Sequence, residues 1–138
     1  MEEIKYRGEI LALVVNESEF PNGIRFWGDD NNPLQFGSCV YNSGVVLQPH
    51  VHKVRERIAE HRTIELLYVI RGGIRATFYN DSKETVATKI LVAGDCALLL
   101  AGGHGFRIIT DDTAFIEVKN GPYVSVEADK EKFDDSSV

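Results

Sequence analysis

Histidines are the residues of this chain whose type and spacing best suit metal chemistry. His50 and His52 are separated by one residue, and three of the four histidines lie between positions 50 and 61. In an extended strand, side chains at i and i+2 point to the same face, about 7 Å apart along the chain. The imidazoles of His50 and His52 can therefore converge on one ion.

Two further residues are candidates to complete a four-ligand site. Glu65 opens an otherwise apolar run that continues to Ile70, where a buried carboxylate without a partner is costly. His104 stands between glycines at the start of another predicted strand. We predict a metal site formed by His50, His52, Glu65 and His104. This N/O ligand set suits zinc, iron(II), nickel, manganese or copper and does not select among them. The alternative, that each histidine makes an ordinary hydrogen bond, stays open.

Short strands separated by turns must position these residues. Ile4 to Val15 reads as strand material, and its run from 10 to 15 is typical of a strand covered on both faces. From position 38 onward, turn residues recur every 6 to 12 residues, and Gly72-Gly73 is a hairpin signal. The pattern predicts an all-β sandwich or barrel. The predicted strands are 38–41, 45–48, the segment of His50 and His52, 66–71, 74–79, 85–92, 97–100, 104–109 and 114–119.

The length of 138 residues predicts one domain, 1–138, with a core at about 37–120. An N-terminal strand at 4–15 precedes this core, and the polar tail is expected to fray from about 127 or after Phe133. Residues 16–37 are rich in turn residues, with one short strand expected at 24–27. We interpret Trp27 as a packing residue, with a ligand pocket as the alternative.

The order of these motifs resembles the cupin superfamily. His50-Val51-His52, then Glu65 and a strand ending at Gly72, is similar to its first motif; Gly94-Asp95 followed by an apolar strand and His104 is similar to its second. The resemblance covers about residues 37–120. It implies a small antiparallel jelly-roll barrel that holds the metal inside and assembles as a homodimer. It also implies a link to bacterial polysaccharide biosynthesis.

The chain departs from the family pattern in the spacer between its first two motif elements. Twelve residues separate His52 from Glu65 where the family has three or four, and Ala101 to Gly103 stands where the family has a proline before the histidine. His61, four positions before Glu65, is therefore an alternative ligand to His50 or His52. Its partner two positions earlier would be Ala59, which cannot bind metal, so we favour His50 and His52.

The charged spacer is a candidate anion-binding element. It carries Arg55, Arg57 and Arg62, whose guanidinium groups bind carboxylates and phosphates well if they lean over the barrel mouth. A solvated loop is the alternative. In the last predicted strand, Lys119 shares a face with Glu117, and we interpret this charged face as external. The alternative is that the two side chains line the open end of the barrel. Tyr123 follows, and we count Lys119 and Tyr123 among the substrate-binding candidates.

The amino-acid composition and charge of the chain indicate which classes of binding partner are disfavoured. The chain has 15 basic and 21 acidic residues, a net charge of −6, which argues against nucleic acid or an anionic membrane surface. Cys39 and Cys96 form no zinc-type pair, so we expect free, buried thiols. The acidic start, without an apolar segment, predicts a cytoplasmic protein without a signal peptide.

Two functions fit these features. One is a metal-dependent enzyme acting on a small anionic or sugar-derived molecule, similar to a sugar-nucleotide isomerase or a dioxygenase. The other is a non-catalytic module that binds a sugar or a metal. A purely structural barrel with an incidental metal, which has neither function, is the third hypothesis. An isomerase needs a base near the substrate, for which Tyr79 and Tyr123 are available.

Overall fold

Antiparallel strands form almost all of the regular structure. The computed structural model describes residues 1–29, 32–49, 62–120 and 131–133. In these ranges the only helical element is a 3-10 helix, Glu17–Glu19, so the predicted all-β class is confirmed. The strands are β1 (Glu2–Tyr6), β2 (Glu9–Asn16), β3 (Gly23–Trp27), β4 (Phe36–Val40), β5 (Glu65–Arg71), β6 (Gly73–Tyr79), β7 (Thr85–Val92), β8 (Asp95–Leu99), β9 (Gly103–Ile108) and β10 (Ala114–Lys119).

Two sheets face each other across the main core. The larger sheet has the strand order β1-β2-β8-β5-β10, and the smaller has the order β7-β6-β9. Alternate residues of both sheets point inward because strand side chains alternate between faces. Leu67 and Val69 of the larger sheet, and Ala76 and Phe78 of the smaller, are at most 1% exposed and belong to one apolar cluster. We call the space between these sheets the interior.

A second apolar cluster covers the opposite face of the larger sheet. Strands β3 and β4 form a two-stranded sheet whose Trp27 and Phe36 pack with Leu13 and Val15 of β2. The Trp27 indole donates a hydrogen bond of 2.9 Å to Ser38 Oγ, which satisfies its buried N–H. Residues of β2 thus contribute to both clusters, as its unbroken apolar run predicted.

The predicted hairpin at Gly72-Gly73 is wrong. Strands β5 and β6 belong to different sheets, so Gly72 turns the chain from the larger sheet to the smaller one. Gly72 has φ of +82°, and a Cβ there would lie 2.3 Å from Thr113 Oγ1. Two glycines signal a tight turn, but they do not determine whether the flanking strands pair with each other. The strand predicted at 45–48 is also wrong: Val45, Val46 and Leu47 lie exposed outside any strand.

The sequence predictions for the short strand at 24–27, the two cysteines and the closure of the barrel are confirmed in part. The predicted strand at 24–27 is confirmed by β3, and both cysteines are free, although Cys39 is exposed rather than buried. Within the described ranges the strands form three separate sheets, not one closed barrel. No helix in the described part of the chain has the length and apolar character needed to cross a bilayer.

Candidate functional site

Glu65 is a buried carboxylate at one end of the interior. It is the first residue of β5 and has the same strand parity as Leu67 and Val69, so its side chain points inward, where it is 3% exposed. Directly opposite Glu65 are Leu99 of β8 and Lys119 of β10. The side chain of Glu65, the polar residue that begins an otherwise apolar strand, therefore faces the interior rather than solvent.

The backbone just before Glu65 is anchored by the end of β10. The Ile64 N–H donates a 2.7 Å hydrogen bond to Asn120 Oδ1, and the Asn120 N–H donates a 3.4 Å bond to the Ile64 carbonyl. The Asn120 side-chain amide also donates to the carbonyl of Arg62 at 3.4 Å. This role of Asn120 was not predicted from the sequence. The feature that could have indicated it is a polar residue directly after the predicted strand 114–119.

His104 approaches Glu65 from the opposing sheet. It lies on β9 directly opposite Phe78 of β6, an interior residue, so its imidazole also faces inward. His104 Nε2 lies 2.9 Å from Glu65 Oε2, and the Phe106 ring centroid lies 5.1 Å from that of the imidazole. The His104 side chain is 25% exposed. The imidazole thus links a buried carboxylate to a part of the interior that reaches solvent.

This pair supplies one nitrogen and one oxygen donor at the same position, which is half of the predicted ligand set. In the described ranges no group of three or more His, Cys, Asp and Glu residues converges on one point. The other predicted ligands and several predicted substrate-binding residues lie outside the described residues, so their assignment stays a prediction. These are His50, His52, the alternative His61, Arg55, Arg57 and Tyr123.

Lys119 belongs to the same side of the sheet as Glu65. Residues directly opposite each other in an antiparallel pair share a face, and β10 places Lys119 opposite Glu65 and Glu117 opposite Leu67. The interpretation of this charged face as external is therefore wrong in orientation. Because β10 is an edge strand, Glu117 is nevertheless exposed, whereas Lys119 is half-buried.

Arg62 is bound to carboxylates at the surface. Its guanidinium nitrogens lie 3.3 and 3.4 Å from the two carboxylate oxygens of Asp81 and 3.9 Å from Glu9 Oε1. More than half of the side chain is exposed. Binding of a ligand anion by Arg62 would compete with these contacts, and the predicted role of Arg62 in substrate binding stays a prediction.

Tyr79 lies on the wrong face of its strand to act as a base at this site. Phe78 points into the interior, so Tyr79, the next residue of β6, points to the outer face of the smaller sheet. There it is 1% exposed and packs against Phe133 with ring centroids 5.0 Å apart.

A second polar region lies on the other face of the larger sheet. A cavity of about 530 Å³ lies there between β3 and the β1–β2 hairpin, and Arg25, Trp27 and Leu13 are among its lining residues. The Arg25 guanidinium lies over the Trp27 ring, 4.1 Å from its centroid. Trp27, 3% exposed, is therefore a core residue, as interpreted, and also forms part of a cavity wall.

Two perturbed groups also belong to that face. Burial, followed by the nearby charge of Asp95, raises the pKa of the Cys96 thiol to about 11. Burial also raises the pKa of Tyr68, and Glu17 adds to this shift; the Tyr68 hydroxyl donates to Glu17 Oε2 at 3.3 Å. Both side chains are one strand position away from interior residues and point away from Glu65.

The candidate functional site is assigned from the positions and contacts of its residues alone. Comparison of the chain with protein-family models, with curated proteins and with solved structures gave no match.

Proposed function

We propose that this chain is a metal-binding protein of the cupin type, in which Glu65 and His104 are two ligands of a divalent transition metal. The observation that supports this most directly is the 2.9 Å contact between a buried carboxylate and an imidazole from opposing sheets. His50 and His52 would supply the remaining nitrogen donors. The facing antiparallel sheets are compatible with a jelly-roll, which we propose as the complete fold.

The residue types fit a metal ion better than they fit a purely structural contact. An imidazole and a carboxylate are ligands for zinc, iron, nickel and manganese. A buried carboxylate requires compensation for its lost hydration, and an ion pair often contributes no more stability than apolar residues of similar volume. Packing alone therefore gives little reason for Glu65 to occupy an interior position.

Lys119 supports a small anionic or sugar-derived molecule as the ligand. Its position opposite Glu65 places a cationic side chain on the interior side, at the end where His104 reaches solvent. A bound metal would polarise a carbonyl group or activate water or dioxygen. The role of Lys119 would be to attract a carboxylate or phosphate of the ligand to that position.

A non-catalytic binding module is the second candidate; of the two tyrosines considered as an isomerase base, only Tyr79 lies among the described residues. This tyrosine is excluded as a base because it points to the outer face of the smaller sheet. Oxygen consumption by iron-loaded protein would support an oxygenase. Tight zinc or nickel binding without turnover of sugar nucleotides would support the binding module.

We also propose a homodimer. The apolar run of β2 is not an available edge, because β2 pairs with β1 on one side and with β8 on the other. Among the described residues, β1 and β10 are the outer strands of the larger sheet and the candidates for extending it across a subunit interface. Light scattering of the purified protein would give the mass: a value near twice 15.4 kDa supports the dimer, and a single-chain mass excludes it.

The test of the metal site is elemental analysis and metal titration of protein purified without an affinity tag. We expect about one equivalent of metal in the wild type, and at least about tenfold weaker binding in Glu65→Gln and His104→Ala. Glu117→Gln is the matched control, since it removes an exposed carboxylate from the same side of the larger sheet. The fluorescence of Trp27, the single tryptophan, reports whether each variant is folded.

Two results would reject the assignment. One is a wild-type protein that binds none of zinc, iron, nickel and manganese. The other is full metal stoichiometry and unchanged affinity in folded Glu65→Gln and His104→Ala. A weakened response in Lys119→Gln towards an anionic ligand, with metal binding retained, would support the role proposed for Lys119.

A further inference from the structure

The C-terminal residues 131–133 pack behind the strand that carries His104. Phe133 lies edge-on against the Tyr79 ring, with centroids 5.0 Å apart and planes at 87°. This geometry is typical of favourable aromatic pairs. Phe133 therefore contacts the outer face of the smaller sheet.

The Phe133 ring also lies close to Gly103, the residue before His104. A Cβ built on Gly103 would lie 3.7 Å from both Cε1 and Cζ of the Phe133 ring, and 3.5 Å from Tyr79 Cβ. A Cβ on Gly102 would lie only 2.2 Å from the Tyr79 carbonyl oxygen. Tyr79 therefore leaves no room for a side chain at Gly102, and the Phe133 ring lies beside Gly103.

Lys83 connects this segment to the β6–β7 hairpin. Its ammonium lies 2.5 Å from Glu131 Oε1 and 5.7 Å from the centroid of the Phe133 ring. This hydrogen bond and the charge of Lys83 lower the pKa of the Glu131 carboxyl. Because the pair is solvent-exposed, it orients the segment more than it stabilises it.

We propose that Phe133 is a positioning residue for His104. Its ring fixes the Gly102-Gly103 turn against Tyr79, and this turn determines where β9 begins and how the imidazole faces Glu65. The consequence for metal binding rests on the function proposed above, but the effect on the imidazole does not. Positioning by a neighbouring shell affects metal affinity because a ligand must be held in its binding orientation before the metal arrives.

The test compares two truncations and three point variants. A chain ending at residue 130 lacks Phe133, whereas a chain ending at Phe133 keeps it and is the matched control. Phe133→Ala removes only the ring, and Phe133→Leu restores an apolar side chain. Phe26→Ala, which removes an exposed aromatic ring from the two-stranded sheet, controls for loss of a surface ring.

The first measurement is the ¹⁵N and ¹H NMR spectrum of the imidazoles in metal-free protein, with the His104 signals assigned by their absence from His104→Gln. We expect these signals to shift or broaden in Phe133→Ala and in the chain ending at residue 130. We expect them unchanged in the chain ending at Phe133 and in Phe26→Ala, and largely restored in Phe133→Leu.

The second measurement is the zinc affinity of the same proteins. We expect a loss of about tenfold in Phe133→Ala. If the His104 signals shift in Phe133→Ala while the wild-type protein binds no metal, the proposed function is rejected and the positioning role is kept. Unchanged His104 signals in folded Phe133→Ala would overturn the positioning role, whatever the metal affinity. If Phe133→Ala does not fold, Lys83→Ala, which removes only the tether, gives the same comparison.

Discussion

Replacing both members of the Glu65–His104 pair with apolar residues should cost less stability than replacing either one alone. Glu65→Met keeps a straight side chain of similar length, and His104→Phe keeps a planar ring. Both positions face the same apolar interior, next to Leu99 and Phe78. The double variant therefore exchanges a polar contact between the two sheets for an apolar one.

The expected magnitudes follow from the burial of the two side chains. In His104→Phe the Glu65 carboxylate, 3% exposed, loses a charged contact of 2.9 Å, which costs about 2 to 3 kcal/mol. In Glu65→Met the imidazole, 25% exposed, recovers part of its hydration, so the cost falls to about 1 kcal/mol. In the double variant neither polar group remains, and the free energy of unfolding should be within about 1 kcal/mol of the wild type. The coupling energy is then about 2 kcal/mol or more.

Urea unfolding in the presence of EDTA, followed by Trp27 fluorescence, measures these free energies. The tryptophan lies on the other face of the larger sheet, so the substitutions do not contact the probe. A double variant whose destabilisation equals the sum of the two single variants would refute the reasoning, because it would show that the two side chains do not interact.

The same four proteins also separate a metal site from a simple ion pair. Zinc at about 100 times its dissociation constant should stabilise the wild type by about 2.7 kcal/mol. It should have little effect on the double variant, which lacks both donors. Equal stabilisation of the wild type and the double variant would show that zinc binds elsewhere.

Two further predictions concern stability. In urea titrations, Gly72→Ala should lower the free energy of unfolding by about 2 kcal/mol or more, because the added Cβ would overlap Thr113. Gly44 is also at positive φ, but a Cβ there would have no atom within 4 Å, so Gly44→Ala should lose only about 1 kcal/mol. Equal losses in the two variants would contradict the steric explanation. The pKa of Cys96 is raised in the folded state. The contribution of Cys96 to the free energy of unfolding is therefore fully present below pH 9. It falls by at most about 3 kcal/mol as pH rises towards 11. Urea midpoints between pH 8 and 10 should therefore fall more steeply in the wild type than in Cys96→Ala, with Cys39→Ala behaving as the wild type.

Local patterns predicted the strands well but not their assignment to sheets. The apolar run of β2 showed that it is covered on both faces, since each position along it needs an apolar neighbour. Gly72-Gly73 marked a turn, but pairing of β5 with β8 and β10 depends on contacts distant in sequence. Val45 to Leu47 have strand-forming side chains, yet no partner strand takes them up within the described residues.

Two candidate site residues could be singled out from the sequence because their polarity conflicts with their surroundings. Glu65 at the head of an apolar strand and His104 between glycines both stood out in the sequence, and they meet in the structure. Their contact could not be derived from spacing, because it joins two sheets and depends on how those sheets pack. The orientation of Lys119 was misjudged for the same reason: strand parity groups it with Glu117, but only the register with β5 shows which side they face.

The burial of Glu65 separates the structural and functional explanations of this site. If the contact with His104 served stability alone, apolar residues at both positions would do as well, since charge burial costs about as much as the pair returns. Sequences that fold well violate such local rules mainly where function requires it. A stable double variant that has lost its metal response would therefore show that Glu65 is retained for binding. A double variant that is strongly destabilised and shows no coupling would instead assign each residue an independent structural role.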